Sequence, residues 1–326
     1  MSTASLGGFS FREDGGRLGV LLTIVAIAIS GSAGVAAERR WPDVAVGWAR
    51  RALVISLYTL IPFVVFFNLA RTHINTDEAG GLVIGWVALL SASGIAWLVG
   101  TRLLRLERPP AGSLITATLI ANTGYLGYPL VASLLGFHAL GEAVVYDVAV
   151  SSPALLLLGF GTGAAFGTKV GEGFRDRLVA FFTRNPPLYA AVAGLLVPNS
   201  FAPDVLVDIS RGFVIALLPI GFFAVGAVLA EEVEGGRVRL GSPFDPPIGA
   251  AILLRLVIAP GLLLVLSLPF IDLPGPYLLL AAMPCGINTL LVAHVYGLDS
   301  KLAAQAVAWT TAIAIVAVVI AQSIWG

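Results

Sequence analysis

Charge is scarce in this chain. Only 12% of its 326 residues are Asp, Glu, Lys or Arg, where soluble proteins carry about 25%. That is too little to cover a water-facing surface, and it excludes a soluble globular domain. Cysteine is nearly missing: Cys285 alone excludes an intrachain disulfide and a multi-cysteine metal site. The three histidines, His73, His138 and His294, are too scattered to form a metal-ligand set. Acidic and basic residues number 19 each, so no basic footprint for nucleic acid exists. No Walker loop, HExxH helix or pair of intramembrane aspartates occurs, so no enzyme chemistry and no cofactor are implied. What fills the chain is apolar: 58% hydrophobic residues, mean hydropathy +0.94, 37 glycines and 19 prolines. Disorder needs low hydrophobicity and is excluded too. The fold class left is an all-α polytopic membrane protein.

A helix needs about 20 mostly apolar residues to cross the hydrocarbon core. Ten runs are candidates: Leu18–Ala37, Ala52–Ala70, Ala79–Thr101, Ala111–Phe137, Ala143–Phe166, the short Pro187–Pro198, Ile209–Ala230, Pro246–Leu268, Pro276–Tyr296 and Leu302–Ile324. They lack the short alternating pattern of barrel strands. The first run, preceded by Arg17 and containing Gly34-Val35-Ala36, has features of a signal peptide. Its length favours a retained span. Loops after odd-numbered spans hold 14 Lys and Arg; the N-terminal tail and the loops after even-numbered spans hold 4. The positive-inside rule then puts both termini outside and residues 167–186 in the cytoplasm of a cell-membrane protein. Within that loop, Phe174–Phe182 reads either as an interfacial helix or as a solvated connection.

Ten spans divide into two units of five, residues 1–166 and 167–326. An odd number per unit inverts the second in the membrane. Leu60-Ile61-Pro62-Phe63 in span two has a counterpart in Leu217-Leu218-Pro219-Ile220 of span seven. Span four holds Asn122-Thr123-Gly124-Tyr125-Leu126-Gly127-Tyr128-Pro129, and span nine holds Met283-Pro284-Cys285-Gly286-Ile287-Asn288. Glycine and proline weaken a helix by about 1 and 3 kcal/mol, so both spans are expected to break near their middles. Matched breaks in two halves point to a transporter binding site. Pro62, Pro219 and Pro260 read as ordinary kinks.

A break in mid-membrane frees backbone groups that lipid cannot satisfy. Half-helices beginning near Thr123 and Gly286 would aim N–H groups, and about half a positive charge each, at the break. Two such ends suit a carboxylate without a lysine or arginine. The expected substrate-binding residues are Asn122, Thr123, Gly124, Pro284, Cys285, Gly286 and Asn288. Asp147 in span five is either a proton carrier or a structural acid, and Arg255 in span eight either a substrate charge or a structural one. Asn68 reads as a helix-packing hydrogen bonder, and Cys285 as a small residue at a tight approach.

Asn122–Leu130 (NTGYLGYPL) resembles the fourth-helix signature of the auxin efflux carrier family. Met283-Pro284, Asn185-Pro186-Pro187, Arg255-Leu256 with Ala259-Pro260, and Tyr146-Asp147 resemble the family in order and spacing from about Ala52 onward. The resemblance implies two inverted five-helix repeats whose broken helices four and nine cross at mid-membrane. It implies a scaffold of spans 1, 2, 6 and 7, often dimeric. Spans 3–5 and 8–10 would form a mobile transport domain of elevator type. It also implies transport of small organic anions such as malonate, malate or auxin-like acids. The short 167–186 loop matches prokaryotic-type members. Ala121 stands where the family has proline, so auxin itself is not implied. An anion-binding sensor, a channel and an intramembrane enzyme compete with this reading.

Overall fold

The computed structural model describes residues 15–42, 44–72, 74–169, 175, 179, 182–183, 185–234 and 241–325. These are helical throughout, without a strand. In chain order, α1 is Gly15–Arg40, α2 Val44–Leu69 and α3 Thr76–Leu103. Next come α4 (Arg108–Leu119), α5 (residues 123–134) and α6 (Phe137–Phe166). The second half has α7 (Pro186–Leu196), α8 (Asp204–Glu234) and α9 (Pro246–Ser267). It ends with α10 (Gly275–Ala281), α11 (Asn288–Tyr296) and α12 (Ser300–Trp325). Most of Phe174–Phe182 lies outside the described residues, as does His73.

Among the described residues, seven helices are long and apolar enough to cross a membrane: α1, α2, α3, α6, α8, α9 and α12. The ten expected runs exceed seven for a local reason. The run from Ala111 to Phe137 is divided between α4 and α5, that from Pro276 to Tyr296 between α10 and α11, and α7 is short. Helix α2 also begins earlier than hydropathy suggests, so Arg50 and Arg51 lie within it.

The starts and stops follow from sequence. Asn75 caps α3 in a capping box with Glu78: its side chain accepts from Glu78 N at 2.8 Å, and Glu78 Oε2 accepts from Asn75 N at 3.3 Å. Asn185 caps α7 by accepting from Leu188 N. Proline opens α4, α7, α9 and α10, where its missing N–H costs nothing. Gly297, at φ +69°, closes α11 in the left-handed conformation.

Proline also shapes the helix interiors. Wide π-turns at Ser56–Leu60, Thr123–Gly127, Asp147–Ser151 and Leu254–Ile258 each end two residues before a proline: Pro62, Pro129, Pro153 and Pro260. The ring would collide with the carbonyl four residues back, and the extra residue of a π-turn relieves that clash. Pro219 differs, sitting inside the continuous helix α8.

Helix α1 lies along α8, and α2 packs on α7 and α8. The α1–α8 contact is close because both faces are small: a Cβ on Gly34 would lie 2.9 Å from Ala227 N, and one on Gly226 2.9 Å from the Gly31 carbonyl carbon. Asn68 of α2 donates to Ser210 Oγ of α8 at 3.3 Å, the helix-packing bond expected of it. Helix α3 packs on α9 and α4, and α12 on α4, α9 and α11. One core cluster gathers around Leu114, Ala117, Cys285 and Ala303, another around Leu126, Tyr128, Val144 and Tyr277.

Candidate functional site

Residues 120–122, between α4 and α5, and residues 283–287, between α10 and α11, lie side by side. Asn122 N donates to Pro284 O at 2.9 Å, and Gly286 N donates to Ile120 O at 2.8 Å. The two bonds bracket an antiparallel bridge between Ala121 and Cys285. Backbone freed by the two helix ends is thus satisfied by the other break. Only glycine fits at 286, where a Cβ would stand 2.9 Å from Ala121 O.

The other groups at this junction are committed as well. Cys285 is fully buried; its N–H donates to Thr310 Oγ1 at 3.0 Å and its thiol to Ala117 O at 3.0 Å. Cys285 and Gly286 therefore hold the junction together. Thr123 Oγ1 donates to Asp147 Oδ1 at 2.6 Å, and Tyr128 Oη to Asp147 Oδ2 at 2.7 Å. Asp147 thus bridges the first and last residues of a segment spanning the π-turn that begins α5.

Arg255 is 2% exposed. Its Nε donates to Met283 O at 2.9 Å, its Nη1 to Thr118 O at 2.7 Å, and its Nη2 to Ala281 O. These carbonyls belong to the ends of α4 and α10. A helix C-terminus carries about half a negative charge, so two of them match one guanidinium. Arg255 joins the two breaks from behind and, among the described residues, has no acidic partner. A cavity of about 20 Å³ beside it, lined by Tyr146, Ser151 and Ala121 among others, has room for a single water.

Three polar side chains at the junction remain uncommitted among the described residues: the fully buried hydroxyl of Thr289, in the first turn of α11, and two amides. Asn122 is 5% exposed, and its amide has no hydrogen-bond partner among the described residues. The same holds for the half-buried amide of Asn288, in the first turn of α11. Beside Asn122, a Cβ on Gly124 would meet nothing within 4 Å, so space opens there. The π-turn starting at Thr123 leaves its first N–H groups without intrahelical acceptors. Pro284 is buried and contributes its carbonyl to Asn122 N. Next to the gap, Tyr125 packs where a Cβ on Gly221 of α8 would be 2.6 Å from its ring.

Sequence reasoning picked out the residues of both breaks, but it missed Tyr128 and Thr310, which partner Asp147 and Cys285. Tyr128 lies in the NTGYLGYP run and was within reach; Thr310, on a featureless apolar helix, carried no signal.

The sequence model of a family described as Membrane transport protein matches residues 182–321. A protein of Methanocaldococcus jannaschii named as an uncharacterized transporter is 22% identical over 284 residues, covering 83% of this chain and 87% of its own length. An all-helical fold with seven membrane-length apolar helices fits an integral membrane protein, and both matches support the membrane-transport resemblance read from the sequence.

Proposed function

We propose that the chain is a secondary transporter of small organic anions, carboxylates such as malonate or malate or auxin-like acids. The substrate is held at the crossing of two broken helices, spans four (α4–α5) and nine (α10–α11). In this reading the ten spans form two inverted five-helix repeats, residues 1–166 and 167–326, with both termini outside the cell membrane.

One observation carries the reading. At a junction where nearly every polar group is spent on another protein group, the amides of Asn122 and Asn288 are left over. Neither amide is sealed off in the interior, so a ligand entering the junction can reach both. Open space at Gly124 and unpaired N–H groups at the start of α5 favour a carboxylate. Among the described residues Arg255, the basic side chain nearest the breaks, is spent on helix carbonyls and does not hold it. Release is correspondingly easy, as a carrier requires.

The packing supports an elevator mechanism. In this reading α1, α2, α7 and α8 are the scaffold and spans 3–5 and 8–10 the transport domain; the packing of α2 on α7 and α8, and of α3, α4, α9 and α12 together, supports that division. A scaffold of this kind suits a homodimer. Asp147 takes the coupling role: its protonation removes an acceptor from Thr123 and Tyr128 and loosens the π-turn that carries the site.

The test is uptake of malonate, malate and indoleacetate into sealed liposomes holding the purified protein, with and without imposed proton and sodium gradients. Saturable uptake is expected, with about tenfold loss of kcat/KM in Asn122→Ala and in Asn288→Ala. A folded protein that neither moves nor binds any of these acids rejects the anion reading.

A further inference from the structure

Helix α2 presents two different faces near its start. Ala45, Val46 and Ala49 are buried, and α2 packs on α1 and α8. The opposite face is exposed, and its residues recur every three or four positions: Trp41, Val44, Trp48, Arg51, Ile55 and Tyr58. The turn from α1 fixes the start of this stripe. Trp41 N donates to Ala37 O at 2.8 Å, and Trp41 O accepts from Ala45 N at 3.2 Å, so this tryptophan is tied to both helices. Arg40, the last residue of α1, lies over the Trp41 ring at 5.7 Å, and the rings of Trp41 and Trp48 are 6.4 Å apart between centroids. Arg51 follows Trp48 by one helical turn.

From Arg40 to Arg51 the polar side chains of the stripe are all donors. Arg40 and Arg51 are exposed and form no ion pair among the described residues, whereas Arg50 pairs with Glu231 of α8 at 3.9 Å. The indole N–H groups of Trp41 and Trp48 have no acceptor among the described residues, whereas those of Trp86 and Trp309 donate to Ala149 O and Gly241 O at 3.0 Å. Glu38 is buried and accepts from Val46 N at 3.2 Å, so its charge is turned inward. Residues 38–51 hold four arginines and two acids. Past Arg51 no charged residue follows until Arg71, and Ile55 and Tyr58 continue the exposed stripe. Residues 52–70 rise about 28 Å as a helix, close to the hydrocarbon thickness of about 30 Å, which sets Arg51 at headgroup level.

We infer that this stripe binds one phospholipid of net negative charge. Arg40, Arg51 and the two indole N–H groups hold the phosphate and ester oxygens, and an acyl chain lies along Ile55 and Tyr58. The planar fork of arginine matches phosphate oxygens, and tryptophan favours the membrane interface. Exposed arginines at this level select anionic headgroups and repel the ammonium of a choline lipid. The site lies on α2, apart from the helix breaks, and does not depend on what those bind.

The experiment needs no transport substrate. The full purified chain in detergent is titrated with phosphatidylglycerol and, separately, with phosphatidylcholine, while the thermal midpoint is followed and native mass spectrometry counts retained lipids. Phosphatidylglycerol should raise the midpoint saturably and remain bound, with phosphatidylcholine at least tenfold weaker. Arg40→Gln with Arg51→Gln should weaken the phosphatidylglycerol response about tenfold or more. Both side chains are exposed, so the unliganded midpoint should hold. Trp48→Leu keeps apolar surface but loses a donor, and should weaken the same response. Arg102→Gln with Arg105→Gln removes two exposed charges elsewhere and should leave it unchanged. A wild type that does not prefer phosphatidylglycerol, or an equal loss in the Arg102 and Arg105 pair, overturns the inference. Efficient disulfide-linked dimers of Trp48→Cys in the membrane would show that a second copy covers the stripe, and would overturn it as well.

Discussion

At the scale of single residues, two glycines at the breaks separate holding the junction from serving a ligand. A methyl on Gly286 meets backbone, Ala121 O and Asn122 N, which cannot step aside. Gly286→Ala is therefore expected to cost about 1–3 kcal/mol and to lower the thermal midpoint in detergent. A methyl on Gly124 meets open space, and alanine is the better helix former by up to about 1 kcal/mol. Gly124→Ala should keep or raise the midpoint while narrowing the gap beside Asn122, so its loss should appear in transport alone. If both variants unfold alike, Gly124 belongs to the packing and the gap is not a binding space. Arg255 makes the complementary case. Arg255→Met strands three buried carbonyls at the ends of α4 and α10, at about 1–3 kcal/mol each. It should lower the midpoint more than any substitution at Asn122, and a stable variant that fails only in transport would return Arg255 to the substrate.

At the scale of elements, proline explains more than breaks. Asp147, Thr123 and Arg255 all lie in π-turns that end two residues before Pro153, Pro129 and Pro260. The extra residue in such a turn rotates the side chains before it, and this brings polar groups on three helices to one junction. Pro260→Ala offers a much better helix former, yet it is expected to lower the thermal midpoint, because closing the wide turn pulls Arg255 off its three carbonyls. A raised midpoint would show that the turn persists without its proline. Here the limits of reading the sequence are plain. Glycine and proline at 124, 127, 129, 284 and 286 announced the breaks, since their effect is local. Pro62 and Pro260 read as kinks and proved to follow wide turns, while Pro219 sits in an uninterrupted helix, a difference that helix packing decides. The role of Arg255 was illegible for another reason: its partners are backbone carbonyls of distant helices, which carry no mark in the sequence.

At the scale of the whole molecule, the proposed movement of one helix group past the other requires that contacts between them be breakable. Those contacts are largely apolar, since both core clusters draw residues from both groups, with a few polar ones among them. Thr23 Oγ1 of α1 and Ser133 Oγ of α5 are 3.1 Å apart, and Tyr125 rests on Gly221 with its hydroxyl 3.5 Å from Leu53 O. Within the scaffold α1 and α8 interlock through Gly31, Gly34 and Gly226, about as closely as Tyr125 seats on Gly221. The Thr23–Ser133 contact joins α1 of one group to α5 of the other, which makes it a place to stop the motion. Side-chain oxygens so close mark two positions whose cysteines can reach bonding geometry without a large backbone shift. Native Cys285 is fully buried and should take no part in the reaction. The double variant Thr23→Cys with Ser133→Cys should transport normally when reduced, stop when oxidised, and recover with reductant. An oxidised, fully crosslinked protein that still carries substrate would rule out sliding between α1 and α5, and would leave motion confined to the broken helices themselves.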